Sequence, residues 1–397
     1  MKNDLTGFIG RLLGFDGFYE RSFTTQQLGV TVPDWVNTSD LWVLYREIPE
    51  LNTVINRYAK MVASANPIVR DKMGAVVDPN GHWIFELIDR PNAMQSWGDV
   101  MTMTAINKAL TNNALIFAPK GSLGNRQNLT PIAWNNVKVQ GTGKDLRQTT
   151  IDGFIKEFLV PVSNTSTFQS FDPLEMVYLC DPDGISLFNT ESKLQALRYP
   201  LSNIGAQYAK RNVLLRNLFA LGILSTESND MQGALPLDSA GKKEILNDLK
   251  QRHSGEVAVT DKRMRWEPMS FPTKDLMLFE ELTADKVALI DHFGLNVNMF
   301  GNPTGAGSTF SNVEMGEKQA YNSTIIPDTE IMYDGITKQL GLDKEGLYLT
   351  PSFEHISVLQ QDKNKDAQAL LSRAQALEKI AQQLTLTDDE KKLILHL

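Results

Sequence analysis

Cysteine is nearly absent: Cys180 stands alone among 397 residues. One thiol excludes an intrachain disulfide framework and any multi-cysteine zinc site, fits assembly in a reducing cytoplasm, and reads most simply as a small apolar side chain. Long apolar runs are also missing. The longest clean stretch, Leu218 to Leu224, falls far short of the roughly 18 residues needed to cross a bilayer. Positive charge is in deficit, with a net of −8 and a pI near 5.3, so the chain does not grip nucleic acid over its whole surface, which would require a basic face. The five histidines (His82, His253, His292, His355 and His396) include no pair at i, i+4, and the sequence predicts no metal site. No Gly-x-Ser-x-Gly elbow or Cys–His arrangement occurs, and the neighbouring carboxylates Glu280 and Glu281 point to different faces of any helix, so catalysis and cofactors are not expected. Fixed-period repeats and low-complexity tracts are lacking, which removes solenoid and fibrous folds.

What is present is a chain 42% hydrophobic, long enough for two or three domains. Residues Met1 to Phe15 place Phe8, Ile9, Leu12 and Leu13 at helical spacing beside Lys2 and Arg11. They read as an amphipathic arm rather than a secretion signal. A helix is predicted from Ile48 to Ser64, ended by Pro67, and a second from the N-cap Ser96 to Thr111. Between them, Pro67–Arg70 and His82–Leu87 flank Asp78-Pro79-Asn80-Gly81 and predict a hairpin. From Ala114 to Tyr178 short β-prone pieces alternate with Gly and Pro, giving an α+β, mostly helical, class for the whole chain.

A long helical segment follows from Ser192 to Leu221, with a break expected at Pro200. Ser225–Ser239 is polar, then a short helix near Ala240–Arg252 and β-prone pieces at Glu256–Thr260 and Arg265–Ser270 close an insert. The next helix, Thr273 to Phe293, carries an apolar stripe on which Lys286 is the exception. Gly294 to Asn312 is a loop with four glycines, followed by a helix from Val313 to Leu340 interrupted at Pro327, an extended piece from Leu347 to Phe353, and a helical tail from Asp362.

Three pieces of sequence then carry a resemblance: Phe293-Gly294-Leu295 with Phe300-Gly301; Ser308-Thr309-Phe310-Ser311-Asn312 leading into a helix that reaches Pro327; and Arg90-Pro91-Asn92 with Gln95-Ser96. Together they resemble the portal proteins of HK97-type tailed bacteriophages over roughly Ile48 to Thr350. Two places depart from that pattern: Asn112-Asn113-Ala114-Leu115 replaces a Gly-Asn-Ala-Tyr turn, and Val297 is followed by Asn298 rather than proline.

The resemblance implies a portal fold with wing, stem, clip and crown regions, closed into a ring that is a dodecamer in the family's usual form. In this chain residues 1–202 would be the N-terminal arm and α+β wing, and 203–221 and 273–293 the stem helices around a clip at 222–272. Residues 294–312 would form the tunnel loop, 313–358 the kinked wing helix and strand, and 359–397 a helical crown. The implied setting is the capsid vertex of a virion assembled in the host cytoplasm. The implied partners are double-stranded DNA in the channel, the terminase large subunit, a head–tail adaptor, and the major capsid and scaffold proteins, with no membrane. The DNA-facing candidates are Asn302, Thr304, Ser308 and Thr309. The stem carries Lys210, Arg211 and Arg216 on one helix and Glu280, Glu281 and Asp285 on the other, charges that could pair between neighbouring subunits.

Two other functions were open to the sequence. The Gly-rich run 301–309 could cradle a nucleotide's phosphates, but it lacks the lysine of a P-loop and follows a helix rather than a strand. Another ring of the head–tail junction, such as an adaptor, is disfavoured by the chain's length.

Overall fold

The structure, a computed structural model, describes residues 23–25, 30–32, 38–79, 81–121, 124–142, 150–162, 167–182, 188–216, 222–226, 264–268, 278–301, 310–360, 371–372 and 375. These divide into two units: one lies within Pro200–Asp285, the other within Arg21–Tyr199 and Lys286–Leu397.

The larger unit begins with a small antiparallel ribbon, β1 (Phe23–Thr25) with β2 (Val30–Val32), followed by helices α1 (Thr38–Glu47) and α2 (Pro49–Ala63). Pro49 opens α2 where a missing N–H costs nothing, and its apolar stripe, including Leu51, Val54, Ile55, Tyr58 and Val62, is buried. That stripe packs on α4 (Trp97–Thr111). A reciprocal capping box starts α4: the Ser96 hydroxyl accepts from the Asp99 N–H, and the Asp99 carboxylate accepts from the Ser96 N–H at 3.0 Å. Asn112, in the left-handed region at φ 61°, ends it.

The chain then enters two three-stranded antiparallel sheets. In one, β4 (Asn113–Phe117) lies between β5 (Thr130–Ile132) and β9 (Met176–Cys180). In the other, β7 (Ile155–Pro161) lies between β6 (Lys138–Gly141) and β8 (Phe168–Phe171), with a bulge at Gln140/Gly141. Their inward side chains, joined by Trp134 and Val137 from the connection between β5 and β6, form one cluster with Leu115, Ile155, Phe158, Met176 and Tyr178, in which the Trp134 and Tyr178 rings stack 5.4 Å apart. Burying Phe158 alone contributes about 2 kcal/mol. The outer edge of β9 is closed by one side chain. The Gln339 amide accepts from the Tyr178 N–H and donates to the Tyr178 carbonyl, both at 2.7 Å, so this edge is not open to another strand there.

One sequence expectation is corrected here. Residues Asn66–Asp71 (β3) do not pair with His82–Leu87 but with the distant β12 (Leu347–Ser352), Val69 opposite Leu349. The turn closes earlier than Asp78-Pro79-Asn80-Gly81: the Asp71 carboxylate accepts from the N–H groups of Met73 and Ala75, and Gly74 takes φ +83°. Released from the hairpin, Trp83–Asp89 forms a short helix, α3, capped by the His82 imidazole and burying Ile84 and Leu87 one turn apart.

In the smaller unit, β10 (Gly222–Thr226) and β11 (Met264–Pro268) form an antiparallel pair. Helices α5 (Arg198–Arg216) and α6 (Leu278–His292) each run across a boundary between the units. Pro200 does not break α5, because it falls in the first turn, where no intrahelical N–H bond is lost. The polar insert, the helix read at Ala240–Arg252, the strand read at Glu256–Thr260 and most of the helical tail lie outside the described residues.

Candidate functional site

Helix α6 ends in a Schellman arrangement that explains the Phe293-Gly294-Leu295 sequence. The Gly294 N–H bonds the Asp291 carbonyl and the Leu295 N–H reaches back to the Ile290 carbonyl, while Gly294 sits at φ +64°. A side chain at Gly294 would be strained by that φ and would also place a Cβ 2.2 Å from the Thr324 hydroxyl, which donates to the Gly294 carbonyl at 3.1 Å. Asn296 then caps a 3-10 turn, Val297–Phe300, and its amide donates to the Gln319 side chain at 3.0 Å, passing over Gly316, where a Cβ would not fit. The exit from α6 is thus stapled to the next helix at two levels.

That helix is α7 (Phe310–Ala320), joined through a π turn, Tyr321–Ile325, to α8 (Ile326–Leu340). Pro327 has no N–H for the Ser323 carbonyl, and its ring crowds that oxygen. The ladder widens just before it, with the Ile326 N–H bonding the Tyr321 carbonyl five residues back, and then resumes. The interruption sits one turn ahead of the proline rather than at it. Around it, Tyr58 donates to Asp328 at 2.9 Å, the Tyr321 hydroxyl lies 3.3 Å from that of Ser64, and the buried Tyr333 hydroxyl accepts from the Trp97 indole at 2.9 Å while donating to the Ala65 carbonyl at 3.3 Å. Burial raises the Tyr58, Tyr321 and Tyr333 phenols above their ordinary value, keeping each protonated as a donor. Replacing Tyr333 by phenylalanine is expected to cost about 2 kcal/mol, read from urea melting, since two buried polar groups lose their partner.

Two buried ionic features escaped sequence reading. Lys286, the exception on the apolar stripe of α6, pairs with the nearly buried Glu50 of α2 at 3.0 Å. At the end of β9, Asp181 bridges Lys108 at 2.8 Å and Lys193 at 2.7 Å. Burial alone would raise the Asp181 carboxyl, but the two ammonium groups outweigh it and hold it below the usual carboxylate value. His292, at the end of α6, is pushed below the ordinary imidazole value by burial and by the Lys193 charge, against a backbone hydrogen bond to Lys193.

Of the residues singled out from sequence, Asn302, Thr304, Ser308 and Thr309 lie outside the described residues. Lys210, Arg211 and Arg216 fall on α5 and Glu280 on α6, all with side chains outside the description. Glu281 is exposed. Asp285 is raised by burial and by Glu281 against a hydrogen bond from Asn203, and its second carboxylate oxygen is buried with no hydrogen-bond partner among the described residues. Among the described residues, no group of three or more His, Cys, Asp or Glu is placed to hold a metal, and no helix is long and apolar enough to cross a membrane.

With this geometry in place, comparison with known proteins is informative. Residues 49–395 match the family described as "Phage portal protein". No curated protein matches the chain by sequence. Among solved structures, the neck of a native gene transfer agent (GTA) particle computed with C12 symmetry is similar at 18% identity and a TM-score of 0.59, covering 90% of this chain and 93% of that one. The neck of an empty GTA particle computed with C6 symmetry gives 18% identity and a TM-score of 0.62, with 94% and 98% covered. An HK97-family phage portal protein from Corynebacterium diphtheriae is 14% identical with a TM-score of 0.49, over 79% of this chain and 94% of that one.

Proposed function

The chain belongs to the phage portal protein family, and from that premise we propose that it is one subunit of a closed ring, a dodecamer, at the capsid vertex. Double-stranded DNA passes through this ring during packaging and ejection. The observation that carries the reading is the match over residues 49–395, which takes in the capped end of α6, the following loop and the stapled, π-interrupted α7–α8 helix. In this ring α5 and α6 belong to the stem (203–221 and 273–293), and 222–272 is the clip that meets the terminase large subunit and later the head–tail adaptor. Residues 294–312 are the tunnel loop, and 313–358, with 1–202, build the wing towards major capsid and scaffold proteins. Residues 359–397 form the crown, and assembly takes place in the host cytoplasm.

The role is structural: a conduit and docking hub, with the energy for packaging supplied by a separate terminase. A subunit of net charge −8 suits a conduit, because each phosphate gripped by Lys or Arg must be released as the duplex advances. Polar contacts from Asn302, Thr304, Ser308 and Thr309 would let DNA slide. Stem pairing of Lys210, Arg211 and Arg216 with Glu280, Glu281 and Asp285 of the next subunit would give a partner to the Asp285 carboxylate oxygen that has none among the described residues, beside the bond from Asn203.

Native mass spectrometry with negative-stain imaging tests the ring. Closed rings with a central hole are expected, and duplex DNA should bind them weakly with a shallow salt dependence. A monodisperse monomer that stays so on adding scaffold and capsid proteins would overturn the reading.

A further inference from the structure

Helices α5 and α6 both cross out of the larger unit, and within that unit their roots meet at one imidazole. The root of α5 is a 3-10 turn, Lys193–Leu197, that runs straight into Arg198. The chain leading into this turn is anchored: Asn113 donates to the Thr190 carbonyl at 2.8 Å, Asn112 to the Glu191 carbonyl at 2.6 Å, and the Ser192 hydroxyl to the Leu110 carbonyl. The Lys193 ammonium is held in turn by Asp181 at 2.7 Å. At the end of α6, His292 reaches the anchored turn through a hydrogen bond to the Lys193 backbone, its ring edge-on to Phe293 at 5.6 Å. The bond raises the ring's affinity for a proton, so the ring is the donor and the Lys193 carbonyl the acceptor. Nε2 is buried with no hydrogen-bond partner among the described residues, which leaves Nδ1–H to make that bond.

A neutral imidazole fits this place; a charged one does not. A second proton must go onto Nε2, where it meets no acceptor and adds a positive charge close to the Lys193 ammonium. The surrounding charges do not compensate it. Asp181 of β9 already has one oxygen on Lys108 of α4 and the other on Lys193, and Asp291, next to His292 on α6, is exposed. On the far side, Phe293 meets the ring of Tyr58 of α2, whose hydroxyl is bonded to Asp328 of α8 at 2.9 Å. We propose that His292 is a proton-operated latch between the roots of α5 and α6, closed while the imidazole is neutral and released when acid charges it. Burial, and then the Lys193 charge, hold the folded imidazole below its ordinary value against the backbone bond. The latch is therefore fully closed above pH 6.5 and opens as the pH falls through the lower, folded value. It lies within one subunit and needs no neighbour, so it holds whether or not the ring forms.

Hydrogen exchange of the full chain, read by mass spectrometry at about pH 7.5 and about pH 5.5 and corrected for the intrinsic rate, tests the latch. Protection of residues 190–198 and 288–295 should fall up to about tenfold at the lower pH, one unit below the ordinary imidazole value of 6.5, while β7, which has no histidine, keeps its protection. His292→Gln retains an amide N–H able to reach the Lys193 carbonyl and cannot titrate, so its protection should no longer differ between the two pH values. Should that variant fail to fold, Lys193→Met decides. It keeps the backbone carbonyl and removes the ammonium, and the pH at which the two segments open should rise towards 6.5. Protection that does not change with pH in the wild type, an equal fall in His292→Gln, or an opening pH unmoved in Lys193→Met would each overturn the latch. A fall shared equally by β7 would overturn it as well, since the whole unit would then be unfolding rather than one joint opening.

Discussion

Replacing Gly294 by alanine is expected to cost about 3 kcal/mol, measured as a shift in the urea midpoint followed by tryptophan fluorescence, with an unchanged slope. Two effects add. A non-glycine residue at φ +64° gives up roughly 1 kcal/mol of backbone energy. In addition, the new Cβ would stand 2.2 Å from the Thr324 hydroxyl, so either Thr324 abandons its bond to the Gly294 carbonyl or α7 moves away from the end of α6. A double-mutant cycle separates the two. Thr324→Ala alone should cost about 1 kcal/mol for the lost hydrogen bond. The pair Gly294→Ala/Thr324→Ala should cost less than the sum, because the overlap is gone and only the backbone penalty and the missing bond remain. Strict additivity would mean that the close approach of loop and helix is not what requires glycine here.

This contact also marks how far the sequence could be read. Local signals were legible: the apolar spacing of α2, the Ser96/Asp99 start of α4, and the glycine after an aromatic residue that stops α6. Pro327 announced an interrupted helix, but not that the chain would absorb it as a π turn ahead of the proline, since that depends on Thr324 and Tyr321 finding partners in Gly294 and Ser64, far away in sequence. The pairing of β3 with β12 was misread for the same reason. A β-prone run shows that it needs a partner, not which one, and a nearby Asp-Pro-Asn-Gly drew attention to the wrong strand. Helix α1 passed unseen. Lys286 looked like a flaw in an apolar stripe because Glu50, its counter-charge, lies on another helix.

Removing the Asp181 carboxylate is the second large effect expected, about 3 kcal/mol for Asp181→Ala, because Lys108 would be left as an unpaired ammonium inside the fold. The side chain of Lys108 is 5% exposed, against 48% for Lys193, so the three members of the bridge are not equivalent. Lys108→Met should be much milder, near 1 kcal/mol, since Asp181 keeps Lys193 and a buried charge is replaced by a chain of similar shape. Lys193→Met, at an exposed site, should fall below about 1 kcal/mol.

Proton linkage gives a separate check. The folded Asp181 carboxyl titrates below the unfolded value of 3.8, so its contribution is fully present above that value and is lost as the pH falls through the lower, folded one. His292 acts in a different window. Its folded value lies below the unfolded 6.5, so its contribution is present above pH 6.5 and declines as acid charges the unfolded imidazole first. Stability measured against pH should therefore fall in two stages. Asp181→Ala should flatten only the one below 3.8, and a variant that instead flattened the stage below 6.5 would show that the carboxylate and the imidazole do not titrate independently.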